Sequence, residues 1–308
     1  MKSAITVNPI LNVTATQYIA GAEQYVAKQL FPTFPTPLQA AAYYVFDAEN
    51  MLNIPQLVAR AAGAPYSRGR IQAKQDTYNT RDYGHEEVVD DRERKKYASA
   101  LAADIAAVRR IMRVILMNQE NRAYALATSA AVPNSAVTTK WDQAGSHPFA
   151  DTNPIREVIR VNTGLLPNLM LISEPTFNVL SEHPDILDKI KYTQRGIVTE
   201  DIIAAAFRVG KLVVARAVAN SANEGQTTTP ADLWGKDAIF AYVDPSPDLS
   251  MPTFGRIFSW TEEVGSEGTI VESYRDDEVR GDVHRVRNDA DEKLVVPAAG
   301  YRLTGVIT

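Results

Sequence analysis

Between Asp91 and Thr128 the chain contains neither proline nor glycine. Apolar residues recur there at Tyr97, Leu101, Ile105, Val108, Met112, Ile115 and Leu116, with Ala100, Ala102, Ala103, Ala106 and Ala107 between them. Spacings of three and four among strong helix formers predict one long helix. Asp90 is placed to cap it, Glu93 stands at the capping-box position, and Asp91 complements the positive end of the dipole. At 1.5 Å per residue the helix would span about 55 Å, longer than a compact globule usually requires. Tyr97, Leu101, Ile105, Val108 and Met112 are assigned to its inward face. The stripe lacks sustained heptads with flanking charges, which argues against a coiled coil.

What precedes this helix is of a different kind. Pro9, Pro32, Pro35 and Pro37 are interspersed with Tyr18, Tyr25, Phe31, Phe34, Tyr43, Tyr44 and Phe46. Prolines at that density prevent long helices, while the apolar content is too high for a disordered tail. An extended arm lying on other surfaces satisfies both facts, as does the first layer of an ordinary globular domain. Arg60, Arg68, Arg70, Lys74 and Arg81 then give way to Glu86, Glu87, Asp90 and Asp91. Polar residues alternating with Ile71, Ala73, Thr77 and Tyr78 suggest an extended hairpin with its tip near Tyr78 to Thr80. Two strands alone are marginal in water, so such a hairpin needs support.

After the long helix, Asp151 to Val161 is expected to be helical, with Asn153 capping and Pro154 in the first position. Leu169 to Ile172 reads as a short buried strand, and Ser173, Glu174 and Pro175 open a helix that stops at Pro184. A short helix at Thr199 to Phe207 and a strand at Lys211 to Val218 follow, then a polar loop from Ala219 to Pro230. Further strands are expected at Ala238 to Val243, Phe254 to Trp260, Ile270 to Tyr274, Val283 to Arg287 and Lys293 to Val296. The class is α+β, with strands concentrated in the C-terminal half.

Chemistry is sparse. The absence of cysteine excludes disulfides, thiolate metal sites and a cysteine nucleophile, and suits a reducing cytosol. No glycine-rich phosphate loop, nucleophile elbow or H-E-x-x-H pair occurs. His85, His147, His183 and His284 are scattered, and a lone hydrogen-bonded histidine is commoner than a ligand or base. Asp276-Asp277-Glu278 and Asp289-Asp291-Glu292 lack the spacing of an EF-hand and read as solvated turns between strands. Trp141, Trp234 and Trp260 do not interleave with a basic patch, so core packing or interface anchoring suits them better than base stacking. A net charge of −5 opposes a nucleic-acid grip over the whole surface. No apolar stretch suggests a signal peptide or a membrane span. No catalytic residue, cofactor or metal is expected.

Pro167 to Ile186, followed by Lys189 to Thr193, resembles the central domain of tailed-phage major capsid proteins of the Hong Kong 97 type. The long upstream helix, the segments Gly196 to Ile203 and Trp234 to Ala238, and Asp282 to Val296 near the C-terminus occur in the order expected of that family, most like its lambda-like members. The resemblance implies an N-terminal arm (1–60), an extended loop (61–90), a peripheral domain with the long "spine" helix (91–149), and an axial domain (150–270). A final segment (271–308) returns through the peripheral sheet and ends in the axial domain. It implies self-assembly into hexamers and pentamers of an icosahedral virion shell, built in the host bacterial cytoplasm around double-stranded DNA held without sequence-specific contacts. A portal protein and a separate scaffolding protein are implied partners, the latter because the chain reaches the arm soon after Met1; a decoration protein is a further candidate, and no membrane is involved. No lysine–asparagine cross-linking pair can be assigned. Arg68, Arg70, Lys74 and Arg81 are expected to meet acidic surfaces of a neighbouring subunit, with Glu86 and Glu87 in an oppositely charged stem. The alternatives are an encapsulin-like nanocompartment shell and a soluble α+β hydrolase whose site is assembled from distant residues.

Overall fold

A computed structural model describes residues 4–46, 52, 59–60, 62–63, 65–66, 74–97, 99–191, 198–220, 222, 225–246, 248–249, 251–265 and 268–308. From the N-terminus, β1 (Thr6–Val7) leads into α1 (Pro9–Gly21), where Pro9 opens the helix and the Asn8 side chain accepts from Leu11 N at 3.2 Å. Then come α2 (Ala27–Leu30), β2 (Thr33–Thr36), β3 (Ala40–Val45), β4 (Lys74–Asn79), β5 (Arg81–Asp90), α3 (Asp91–Arg94) and α4 (Ala100–Ala127). The next stretch holds β6 (Asn134–Ala136), α5 (Pro148–Thr163), β7 (Leu169–Ser173), α6 (Glu174–Ser181), α7 (Pro184–Ile190), α8 (Glu200–Ala206) and β8 (Lys211–Ala215). Last are β9 (Val218–Asn220), β10 (Pro230–Asp232), β11 (Ala238–Ala241), β12 (Gly255–Trp260), α9 (Thr261–Val264), β13 (Ile270–Asp276), β14 (Gly281–Leu294) and β15 (Gly300–Thr304).

The long helix starts later than its composition suggests. Asp90 caps only the single turn α3, accepting from Arg92 N at 2.6 Å, and the chain leaves helical geometry before Ser99. Ser99 then caps α4, accepting from Ala102 N at 3.1 Å. The 28 residues of α4 span about 42 Å. Its inward face is also rotated. Val108 and Met112 are fully buried and Ile105 is half-buried, but Leu101 is 45% exposed, and Tyr97 is 38% exposed outside the helix. At that end Ala103 and Ala107 face inward against Val89, because only small side chains let the helix approach the sheet so closely. Stepping by four residues advances 40° past a full turn, so a row at 97, 101, 105 drifts off the buried stripe.

The larger sheet is organised by β14. Ala290 pairs with both Ser259 and Arg81, so β12 and β5 lie on opposite edges of the same strand; β13 pairs with Gly281 to Arg287 on the β12 side. Strand β1 extends the sheet beyond β13, and β2 runs parallel to β12. Strand β14 joins what sequence reads as two strands and a solvated acidic turn. Asp289 and Glu292 are 2% and 7% exposed inside it. The expected hairpin tip at Tyr78 to Thr80 is also absent. Strand β4 pairs with β3, β5 pairs with β14, and the chain crosses from one partner to the other at buried Thr80. Tyr78 stacks on Phe258, with ring centroids 4.6 Å apart, which explains why the expected tip is anchored inward. The ribbon is therefore β3–β4.

The second sheet runs β6-β15-β11-β7-β8. Strand β7 is buried along its whole length, and alternate residues serve two cores. Met170 and Ile172, with Leu212, Val214, Phe240 and Leu303, pack under α5 to α8. Leu169 and Leu171, with Val213, Ile239 and Ala241, face a cluster that includes Trp234, Phe254, Ala123 and Ala127. That cluster joins the second sheet to the C-terminal turns of α4. Two smaller departures concern proline: Pro154 lies inside α5, which starts at Pro148, and Pro184 opens α7 rather than merely ending α6. The expected polar loop after Ala219 is bounded by the β9–β10 hairpin.

Candidate assembly surfaces

The two faces of the larger sheet differ in chemistry. Val286 and Val271 turn toward α4, packing on Val108 and Ile111, and α1 adds Leu11 and Ala15 to the same cluster. Alternation then points Arg285 and Arg287 to the opposite face. There Arg287 reaches Glu272 at 2.9 Å and Glu263 at 2.7 Å, with Asp82 at 3.5 Å. Arg285 reaches Glu86 at 3.2 Å and Glu272 at 3.7 Å, and Tyr274 Oη donates to Glu86 at 3.0 Å.

These contacts locate the residues expected at a subunit boundary. Glu86 is occupied within its own subunit by Arg285, and Glu87 points to the helix face, where it receives Arg110 Nε at 2.8 Å. They therefore do not form one acidic stem; neighbours in a strand face opposite ways. Arg81 is exposed at the start of β5 and Lys74 is exposed at the start of β4. Arg68 and Arg70 lie outside the described residues.

Three buried polar joints escape a sequence reading. Glu120, 1% exposed, accepts from Val26 N at 2.9 Å, Ala27 N at 2.8 Å and Trp234 Nε1 at 2.6 Å, tying the start of α2, the long helix and the turn before β11 together. Burial pushes its carboxyl above the usual glutamate value, and those three N–H groups pull the other way. Arg122 binds Glu292 through two bonds of 2.9 Å and lies 3.8 Å over the Tyr83 ring. Arg302 binds Asp237 at 2.8 Å and donates to Thr128 O at 2.7 Å, placing a cation at the C-terminus of α4. A polar residue on the inward stripe, such as Glu120, is a signal visible in sequence; its partners are not.

One serine–histidine contact, Ser146 Oγ and His183 Nε2, 3.0 Å apart, lies beside a cleft of about 530 Å³. Asp185 N donates to His183 Nδ1 at 3.1 Å, so the ring's proton sits on Nε2 and points at the serine. Ser146 Oγ in turn donates to Gln143 O at 2.8 Å. The direction is opposite to that of a base activating a serine. Among the described residues no group of three or more metal-ligating side chains converges.

Several apolar side chains are left on the surface around β1, α1 and β3: Ile10 is 61% exposed, with Val13, Ile5 and Tyr44 more than half exposed. No family model matches the chain. It is 30% identical over 190 residues to the major capsid protein of Burkholderia phage BcepMu, covering 56% of this chain and 60% of that relative. The chain thus matches less than two thirds of the relative's length. Among solved structures, a phage-related protein from Bordetella bronchiseptica RB50 superposes with a TM-score of 0.77 at 22% identity, covering 99% of both chains. The virus-like particle from Pyrococcus furiosus gives 0.56 at 11% identity over 95% and 97% of the two chains, and the capsid of Myoviridae phage XM1 gives 0.54 at 10% over 91% and 92%. The chain has the Hong Kong 97-type capsid fold. In this capsid fold α4 is the spine helix, and the sheet around β14 is the platform on which it rests.

Proposed function

We propose that this protein is the major capsid protein of a tailed bacteriophage, assembling as hexamers and pentamers into the icosahedral shell that encloses double-stranded DNA. The observation that carries the reading is the 30% identity to a phage major capsid protein, joined to a capsid fold across nearly the whole chain. The role is structural, located in the virion, and needs no cofactor. Residues 1–39 would serve as the arm, in place of 1–60, the peripheral domain would follow the extended loop, and the axial domain would occupy 150–270. Because β3 pairs with β4, the extended loop is better bounded by 40–79 than by 61–90.

Apolar residues of the N-terminal segment left exposed on the isolated subunit suit a chain completed by its neighbours. Each contact can be weak, since closure of rings and shell multiplies them. A portal, a scaffolding protein and a decoration protein are the partners this reading calls for. Size-exclusion chromatography with negative-stain microscopy of the expressed chain, alone and with its neighbouring genes, tests it: shells are expected, and a monomer under every condition contradicts it. The likeness to the Pyrococcus furiosus virus-like particle favours a second reading, a shell with other contents. Nuclease-protected double-stranded DNA inside the particles separates the two.

A further inference from the structure

The spine helix carries its charges asymmetrically. Its acids are turned inward or paired: Asp104 lies 2.8 Å from Arg94 and 3.1 Å from His284, and Glu120 is buried. Two of its arginines are paired, Arg110 with Glu87 and Arg122 with Glu292. Arg109 and Arg113 remain exposed, one turn apart, with no carboxylate partner among the described residues. Beside them lies α1, which contains no charged residue.

Two depressions adjoin along this junction and share Tyr18 and Gln24. One, of about 340 Å³, has Arg109 in its wall; the other, of about 320 Å³, has Arg113 and Arg216. No Asp or Glu lines either one. Glu23 neighbours Gln24 in sequence but is not part of the walls, and Arg216 is offset by Glu174 and Glu200 at 2.7 Å each. The opposite face of the sheet has the reverse sign, with Arg285 and Arg287 set against Glu86, Glu272, Glu263 and Asp82.

We propose that the solvent face of the spine helix at Arg109 and Arg113, with the flanking depressions over Tyr18 and Gln24, meets the phosphate backbone of the enclosed double-stranded DNA, so that the carboxylate-rich sheet face looks outward. The inference rests on the shell reading above. Charge complementarity selects the occupant: a polyanion gains from two uncompensated guanidiniums in acid-free walls and is repelled by the other face. The two arginines are about 6 Å apart along the helix, enough to span about two phosphates of one strand. Two phosphate contacts per subunit make a weak, sequence-independent hold, which repetition over a shell strengthens without anchoring any one segment of DNA.

The test measures binding of a short labelled DNA duplex to the full-length, unassembled chain across a salt series, with microscopy of shells from the same proteins. In R109Q/R113Q the affinity at low salt should fall roughly tenfold and the slope of log K against log salt should shrink by about 2. R109K/R113K should restore both, and R160Q, neutralising an exposed arginine on α5, should change neither. Shells should still form. Unchanged binding and slope in R109Q/R113Q overturns the proposal, as does an equal loss in R160Q. Loss of shells from a folded R109Q/R113Q subunit whose DNA binding is unchanged also overturns it, by assigning the surface to a second copy of the chain. Absence of shells from the wild-type chain bears on the shell reading alone, because the binding arm is decided independently.

Discussion

Glu120, in the middle of the spine helix, accepts the indole N–H of Trp234 at 2.6 Å while its second oxygen caps the start of α2 through Ala27 N. Glu120→Ala would leave three buried donors unsatisfied and open a gap, costing about 3–4 kcal/mol. Glu120→Gln keeps the shape but turns an amide N–H₂ toward N–H donors, so it should fall between the two. Chemical denaturation of the subunit reads both.

The same carboxyl gives a pH signature with a definite sign. Burial raises its folded-state value above that of the unfolded chain, so the folded state binds the proton more tightly. Its contribution is complete below the ordinary glutamate value near 4.3 and is lost as pH rises through the raised value. The stability of wild type relative to Glu120→Gln should therefore decline as pH rises through that window. A difference that grows with pH contradicts the assignment.

The inward face of the spine helix can be read by two substitutions. Ile111 is fully buried against the sheet, and Ile111→Asp should cost about 4 kcal/mol or more, preventing folding or assembly. Leu101→Asp, at a 45% exposed position, should stay within about 0.5 kcal/mol in the isolated subunit. Circular dichroism and denaturant midpoints of the two proteins decide the face.

Gly255 is required by proximity. A Cβ there would lie 2.3 Å from the Phe31 ring and 2.7 Å from Lys293 O. The ring is held in the core and the carbonyl belongs to β14, so neither can yield cheaply. Gly255→Ala should destabilise by about 2 kcal/mol or more, seen as a lowered melting temperature.

On the carboxylate-rich face, burial ranks two neighbouring arginines. Arg287, with a 17% exposed side chain, compensates Glu272, which is 12% exposed. Arg287→Ala should cost about 2 kcal/mol by removing the nearer of that carboxylate's two cations and leaving only Arg285 at 3.7 Å. Arg285→Ala, whose nearest partner Glu86 is 45% exposed, should cost under about 1 kcal/mol and lose even that in high salt.

The parts legible in sequence were those fixed by local rules. A proline-free alanine-rich run announces a long helix, and Leu169 to Ile172 announces a buried strand. Where the helix starts is not legible, because Asp90 and Ser99 are both good N-caps and both are used, Asp90 for the single turn α3 and Ser99 for α4. The acidic run at 289–292 reads as solvated because its compensation comes from far away: Arg122 for Glu292, and Asn79 N, 3.0 Å from Asp291. The ribbon was displaced for a related reason, since pairing of β4 with β3 is a long-range choice that alternation alone cannot specify. Of the residues expected at a subunit boundary, Glu86 and Glu87 were visible as charges, but their partners inside the subunit were not.

The most direct test of the central claim is a cryo-electron microscopy reconstruction of particles formed by this chain with its neighbouring genes. The account predicts closed icosahedral shells of hexamers and pentamers, with the subunit density matched by the β14 sheet, the spine helix and the β7 sheet as described. Particles whose walls are built from another protein, or open aggregates in which this chain lacks a repeating position, would contradict it.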